Sequence, residues 1–332
     1  YLIGYDAHLS ERLNLLIVRQ EGVPDLVVPV LESFLATSCE PNVTLRRWEE
    51  TESPSELAAS LIGDTKGVTL GVSDQLWSTF LLKLQKAMPA GDWTTGQPIL
   101  AHLRVTKDQS ELDNLFEVAR LTDEAWHEFV ESGQISGLTE TQAMERLSGM
   151  MEKRGLGRSF GICASGPHAA SPHHHTGDRV IQQGDSVIFD WGGTLNGYHS
   201  DVTRTVFVGT PTDEYRKVYA TVKEANQAAL DAVKPGVPAE DIDKAARDVI
   251  TKAGYGPAFL HRVGHGLGMD VHEEPYLVGG NKTPSEVGMV FSDEPGIYLA
   301  GDLGVRIEDS VVVTETGGKR LNEASRELTV MD

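Results

Sequence analysis

Apolar and polar positions alternate differently along different parts of the chain. Up to about residue 100, short apolar runs alternate with amphipathic segments, as in an α/β unit. Residues 15–18 and 26–30 predict strands on either side of the turn-forming Glu21-Gly22-Val23-Pro24-Asp25, and residues 43–45 predict another. Ser53-Pro54-Ser55-Glu56 predicts a helix start, with Ser53 as cap, Pro54 in the first turn and Glu56 as the box acid. Residues 68–72 predict a strand. Residues 74–88 predict a helix with Leu76, Phe80, Leu81 and Leu84 on one face. Nothing in this stretch converges on chemistry. Its expected role is structural or oligomerising, narrowing access to a site elsewhere.

Residues 98–106 predict a crossing segment. Beyond it the period lengthens. Thr106-Lys107-Asp108-Gln109 caps a long helix to about Glu131, with Leu112, Leu115, Phe116, Ala119 and Val130 apolar. Thr139-Glu140-Thr141-Gln142 is a capping box for a helix ending near Gly155. A strand at 160–164 leads into a loop at 165–178. Residues 187–189 and 202–208 are β-branched and aromatic runs that predict a hairpin, broken at Gly192, Gly193, Asn196 and Gly197. Thr210 and Pro211 open a helix with Tyr215, Val218, Val222 and Ala225 inward, ended by Pro235-Gly236. Pro238 opens another, stopped by Gly254. Residues 257–332 are rich in strands and turns. No internal repeat is visible.

Composition narrows the class. The 332 residues are 40% hydrophobic and 23% charged, ordinary for a soluble globular protein of one large and one smaller domain. The net charge of −20 argues against nucleic acid and anionic membrane surfaces as partners. No apolar run approaches the roughly 20 residues of a membrane span. Cys39 and Cys163 are expected to be buried thiols in a reducing, cytoplasmic setting. The chain opens on Tyr1 without a signal-peptide pattern, and its start is expected to be truncated.

The hairpin carries the first chemistry. Its first strand runs into Asp190 and its second begins with Asp201, so folding brings two carboxylates together. Their repulsion calls for a proton or a cation. Further donors follow in order. His265 lies in His261-Arg262-Val263-Gly264-His265-Gly266-Leu267-Gly268, where the glycines forbid a helical zinc motif and let backbone crowd a ligand. Glu294 lies between an apolar strand and a Pro-Gly turn, and Glu308 ends Gly304-Val305-Arg306-Ile307. Four carboxylates and one imidazole suit Mn²⁺, with Co²⁺ or Zn²⁺ as alternatives, and formally neutralise two divalent cations. A hydroxide bridging such a pair would attack a scissile carbonyl.

Over most of residues 107–332 this motif set resembles the pita-bread metallopeptidases, which include aminopeptidase P, prolidase and methionine aminopeptidase. The resemblance implies an α/β (α+β) chain. A small N-terminal α/β domain, residues 1–104, would precede a pita-bread catalytic domain, residues 105–332. It implies that Asp190, Asp201, His265, Glu294 and Glu308 are the metal ligands, with Asp201 and Glu308 bridging both ions. Glu294 would also accept the proton of the nucleophilic water. His173, chosen from the His173-His174-His175 run, would be catalytic and touch substrate. So would His272, which would steady the tetrahedral intermediate. His261 would line the substrate pocket. Arg306 would be either a partner of a ligand carboxylate or a substrate contact, and Tyr198 and Thr203 would either donate to ligand carboxylates or serve only strand packing and ladder hydrogen bonding. His174 and His175 are read as a solvated loop, and Arg204 as structural.

Some positions depart from the family pattern. His168 stands where relatives often have Asn, and Asp293 where an apolar residue is usual. Tyr276 stands where some dipeptide-restricted prolidases place an Arg. The expected function is a metallo-exopeptidase cleaving Xaa-Pro bonds in proline-containing di- or oligopeptides, foremost an Xaa-Pro dipeptidase and alternatively an Xaa-Pro aminopeptidase. A homodimer is expected from the relatives. A creatinase-like amidinohydrolase would not keep the five ligands, and a pita-bread module that only binds would commonly have lost some of them.

Overall fold

The computed structural model describes residues 1–7 and 9–332. It divides into two compact units, Tyr1–Leu100 and Ala101–Asp332. In the first, β1 (Leu15–Ile17) pairs antiparallel with β2 (Asp25–Pro29), which pairs parallel with β3 (Thr44–Trp48). Helix α1 (Pro54–Ile62) is capped by Ser53, whose hydroxyl accepts from the Glu56 amide. Strand β4 (Thr69–Val72), helix α2 (Ser78–Ala87) and strand β5 (Asp92–Thr95) follow, with β4 and β5 parallel. Val27, Trp48, Ala58, Leu84 and Met88 form the core on one side of the sheet. Leu26, Val28, Ala36, Cys39 and Val43 form the other. Asp25 is buried between Arg46 and Arg19, at 2.7 and 2.8 Å. Helix α2 starts four residues later than the pattern predicts.

The predicted crossing segment is instead helix α3 (Gln97–Val105), and the division between the units falls within it. Its Pro98 occupies the second helical position, where a missing N–H costs no intrahelical bond.

In the second unit, α4 (Gln109–Glu131) and α5 (Glu140–Glu152) start at complete capping boxes, Asp108 with Glu111 and Thr139 with Gln142. They cover a sheet of β6 (Gly157–Ser165), β7 (Ser186–Leu195), the short β8 (Tyr198–His199), β9 (Val202–Val208) and, paired parallel to β9, the chain's last strand. Trp126, Phe129, Phe189 and Trp191 stack beneath the helices. Thr212, rather than Thr210, caps α6 (Asp213–Ala232), and α7 (Ala239–Lys252) follows. This second helix pair packs on a second sheet. Its strands are β10 (Gly264–Gly266), β11 (Glu273–Leu277), β12 (Val290–Asp293), β15 (Asp309–Thr314) and β16 (Gly317–Arg320), in the order β11-β10-β12-β15-β16. Strands β13 (Gly296–Leu299) and β14 (Leu303–Arg306) form a separate ribbon, and β17 (Thr329–Met331) closes the first sheet. Among the described residues no helix is long and apolar enough to cross a membrane.

Strand β7 runs on through Gly192 and Gly193, where the pattern predicted the turn. A side chain at Gly192 would lie 2.1 Å from the Ser200 carbonyl oxygen, so glycine permits close strand approach here. The turn itself is Asn196-Gly197, both with positive φ (51° and 82°). Asp190 is therefore mid-strand, opposite Thr203 on β9.

Candidate metal centre

Strand alternation builds the first half of the site. Val187, Phe189 and Trp191 enter the helix-covered core, so Asp190 points to the opposite face. Val202 and Val206 on β9 do the same, leaving Asp201 and Thr203 on the face of Asp190. A bridge between Thr203 and Glu308 ties this face to the other half. The Glu308 amide donates to the Thr203 carbonyl at 3.1 Å, and Thr203 Oγ1 donates to Glu308 Oε2 at 2.5 Å.

His265 and Glu294 complete it. The His265 amide donates to Ser292 Oγ at 3.0 Å, and the Ser292 hydroxyl donates to Glu294 Oε1 at 3.2 Å. A side chain at Gly264 would stand 1.9 Å from the Ser292 carbonyl oxygen, so only glycine allows β10 this close to β12. His265 Nδ1 lies 3.1 Å from the Gly266 carbonyl, which can only accept. Nδ1 therefore carries the proton. Nε2 faces Glu294 Oε1 and Asp201 Oδ2, at 3.3 and 3.6 Å, where it donates when the ring is protonated and can ligate a cation when it is not.

Donor atoms of Asp190, Asp201 and Glu308 all lie within 4.8 Å of one another, as do those of His265, Glu294 and Glu308. Glu308 belongs to both groups. Burial raises Asp190, and it raises Asp201 and Glu308 well above the usual carboxylate range, each reinforced by neighbouring carboxylates. Burial also pushes Glu294 up, but the His265 hydrogen bond and the charges of His265, His261 and Arg306 outweigh it and hold it at about 2. Four enclosed carboxylates against one enclosed arginine form a set that cannot all ionise without further positive charge. Asp190 Oδ1 is buried with no hydrogen-bond partner. These residues fit divalent cations.

Of the two roles open to Arg306, the geometry gives it that of carboxylate partner. It is buried and donates to Asp190 Oδ2 at 2.6 Å, Thr203 Oγ1 at 3.1 Å, Tyr298 at 2.9 Å and the Pro172 carbonyl at 3.3 Å. Tyr298, which the sequence reading missed, passes the contact on. Its hydroxyl lies 2.8 Å from His261 Nε2, while His261 Nδ1 donates to the Arg262 carbonyl at 2.7 Å. Both His261 nitrogens are thus engaged within the protein. The one signal for Tyr298 was its place just beyond the Pro-Gly turn that follows Glu294.

The exposed His272 stands at the edge of the donor cluster, its ring 3.9 Å from that of His265. Burial and the charge of His265 lower it to about 4, so it is neutral at neutral pH. His173 is exposed and close enough that its charge acts on both His261 and His272.

Comparison with known proteins places this constellation. The family model for metallopeptidase family M24 matches residues 113–315. The chain belongs to metallopeptidase family M24. It is 39% identical over 336 residues to a probable dipeptidase PepE of Mycobacterium tuberculosis, covering all of this chain and 89% of that protein. It is 36% identical to an Xaa-Pro dipeptidase of Lactobacillus helveticus, covering all of this chain and 92% of the relative. A crystal structure of recombinant prolidase from Thermococcus sibiricus superposes with a TM-score of 0.91 at 40% identity, over 97% of this chain and 88% of that one. The second unit has the pita-bread fold of the M24 peptidases.

Within this M24 peptidase the reading of His174 needs correction, and other residues find specific partners. Tyr198 donates to Glu111 on α4 at 2.9 Å. His174 is not a solvated loop residue, since its Nε2 lies 3.0 Å from the buried Glu140. Arg204 is structural in a specific way: buried, it donates to the Glu308 carbonyl at 2.5 Å and pairs with Asp309 at 2.6 Å. Asp293 is fully buried opposite Asp309, and neither of its carboxylate oxygens has a hydrogen-bond partner. Burial and the charge of Asp309 push it well above the usual carboxylate range.

Proposed function

We propose that the chain is an Xaa-Pro dipeptidase acting through two divalent cations, and that Mn²⁺ is the physiological metal. The observation that carries this reading is the pair of donor groups sharing Glu308, with His272 and His173 at their edge. Two cations held by Asp190, Asp201, His265, Glu294 and Glu308 would supply an acidified water and polarise the scissile carbonyl. The chain's own groups do the rest. Glu294, beside the His265 ring and bonded by the Ser292 hydroxyl, takes the proton from the attacking water. His272, neutral, offers a hydrogen bond to the peptide as its carbonyl oxygen gains charge. His173 holds the substrate from the facing loop. Arg306 fixes Asp190 and, through Tyr298, the ring of His261.

Tyr276 stands where an Arg would read a dipeptide's free carboxylate. The guanidinium of Arg262 lies 4.2 Å over the Tyr276 ring, and its charge acts on His272. This arrangement offers the cation for a carboxylate from another position and supports the dipeptidase reading over an Xaa-Pro aminopeptidase.

The deciding experiment is a peptidase assay on metal-stripped protein, reloaded with Mn²⁺, Co²⁺ or Zn²⁺. The substrates are an Xaa-Pro dipeptide, an Xaa-Pro-Xaa tripeptide and Ala-Ala. Metal-dependent cleavage of the dipeptide alone is expected. Cleavage of the tripeptide as well transfers the assignment to an Xaa-Pro aminopeptidase, and cleavage of neither by metal-loaded protein rejects it. We propose also a homodimer, supported by the exposed apolar Leu31, Phe34 and Leu35 of the first unit. A 36.1 kDa monomer in gel filtration would reject the dimer. A cytoplasmic location without nucleic-acid partners is the remaining part of this reading, supported by the net charge of −20.

A further inference from the structure

The loop that carries His173 is gathered around an acid outside the candidate metal-ligand set. Glu140 is the first residue of α5 and is 0% exposed. A glutamate at a helix start is normally solvated, so its complete enclosure requires a reason. Its Oε1 accepts from the Ser165 amide at 2.8 Å and the Ser165 hydroxyl at 2.7 Å, and lies 2.9 Å from His168 Nδ1. Its Oε2 accepts from the Gly177 amide at 3.2 Å and lies 3.0 Å from His174 Nε2. Five donors from both ends of the 165–177 segment thus converge on one carboxylate, and the two imidazoles lie against each other at 4.2 Å. They offset the cost of burying the charge. Arg179 extends the cluster, donating to Ser165 Oγ at 2.6 Å and to Asp185.

His173 sits between two anchors. On one side the Pro172 carbonyl accepts from Arg306, which also holds Asp190. On the other, His174 is bonded to Glu140. The hydrolysis derived above makes no use of Glu140, His168 or His174.

We infer that Glu140 is a positioning residue for substrate, clamping both ends of the 165–177 loop so that His173 is presented to the bound peptide in one orientation. This rests on the reading of His173 as a substrate contact. His168, where relatives often carry Asn, supplies one of the five donors and adapts the clamp in this chain.

The test is a double-mutant cycle on metal-loaded enzyme with an Xaa-Pro dipeptide, joining Glu140→Gln and His173→Ala. Glu140→Gln keeps the shape but turns a donor towards His174 and Gly177. It is expected to lower kcat/KM about 10-fold, chiefly through KM, with Mn²⁺ affinity by calorimetry within about two-fold of wild type. Combined with His173→Ala it is expected to add nothing further, because its effect passes through that side chain. Losses that multiply, Mn²⁺ affinity that falls in step with activity, or a wild-type kcat/KM in Glu140→Gln would each overturn the proposal. Should Glu140→Gln fail to fold, His168→Ala carries the same test, with about a three-fold loss and the same non-additivity. Amide hydrogen exchange separates this inference from the substrate assignment. Faster exchange confined to 166–177 in either variant supports the clamp, and unchanged exchange there overturns it, even if the wild type cleaves no Xaa-Pro peptide.

Discussion

Arg306 has no surface to serve. Enclosed among carboxylates, it directs its guanidinium at Asp190, Thr203, Tyr298 and the Pro172 carbonyl. Replacing it by Met would leave Asp190 without its counter-charge. Arg306→Met is expected to lower kcat/KM by about 10–100-fold, the usual cost of losing a group that orients a metal ligand. Arg306→Lys should recover only part of this, since an ammonium cannot span several acceptors with one planar fork. A Met variant with wild-type kcat/KM and Mn²⁺ affinity would refute the role. At this scale the candidate ligands stood out by context, Asp190 and Asp201 at a predicted hairpin and His265 among glycines, and their roles came from the family resemblance. The partners of Tyr198 and Glu140 were not legible. Tyr198 meets Glu111 across 87 residues of sequence, a separation that no local pattern encodes.

Among the elements, helix starts were legible to within a few residues: Ser53 and Thr139 cap as the pattern predicts, whereas α4 is capped by Asp108 with Glu111 instead of the predicted Thr106–Gln109 box, and α6 by Thr212. The Asp108 carboxylate accepts from the Glu111 amide at 2.9 Å, and Glu111 returns the contact to the Asp108 amide at the same distance. Asp108→Ala is expected to destabilise the second unit by about 1 kcal/mol, read as a lower urea midpoint at unchanged slope. A larger loss would mean that Asp108 does more than cap α4. Glycine and proline were read less well. Pro98 suggested a crossing and sits in the first turn of a helix, and Gly192 and Gly193 suggested a turn and lie inside β7. Both residue types mark turns and also close backbone approaches, and only the neighbouring strand decides between them. Near Gly192 that neighbour is the Ser200 carbonyl.

The two units of the molecule depend on charge in different ways. In the second, Asp190, Asp201 and Glu308 are raised by burial and by neighbouring carboxylates. In the first, Asp25 is buried but held below the usual carboxylate range: burial raises it, and hydrogen bonds and charges of Arg46 and Arg19 more than reverse this. A carboxyl lower in the folded than in the unfolded state stabilises the fold above its unfolded value of about 3.9, and the benefit disappears as pH falls through the lower folded value. Asp25→Asn is therefore expected to cost the first unit about 2 kcal/mol at neutral pH. In urea unfolding at about pH 2 the difference from wild type should have largely closed. A difference constant across that range would show that lost packing, not charge, is responsible.

The strand order has one more consequence, for the chain as it is being made. The first unit is completed by residue 100 and can fold early in synthesis. The centre cannot follow so soon. Its donors run from residue 190 to residue 308, and β9, which begins beside Asp201, receives its last neighbour only from β17 at 329–331. A growing chain therefore carries Asp190 and Asp201 through more than a hundred further residues before the sheet that encloses them is complete. A chain cut before residue 329 would lack the strand that pairs with β9 beside Asp201.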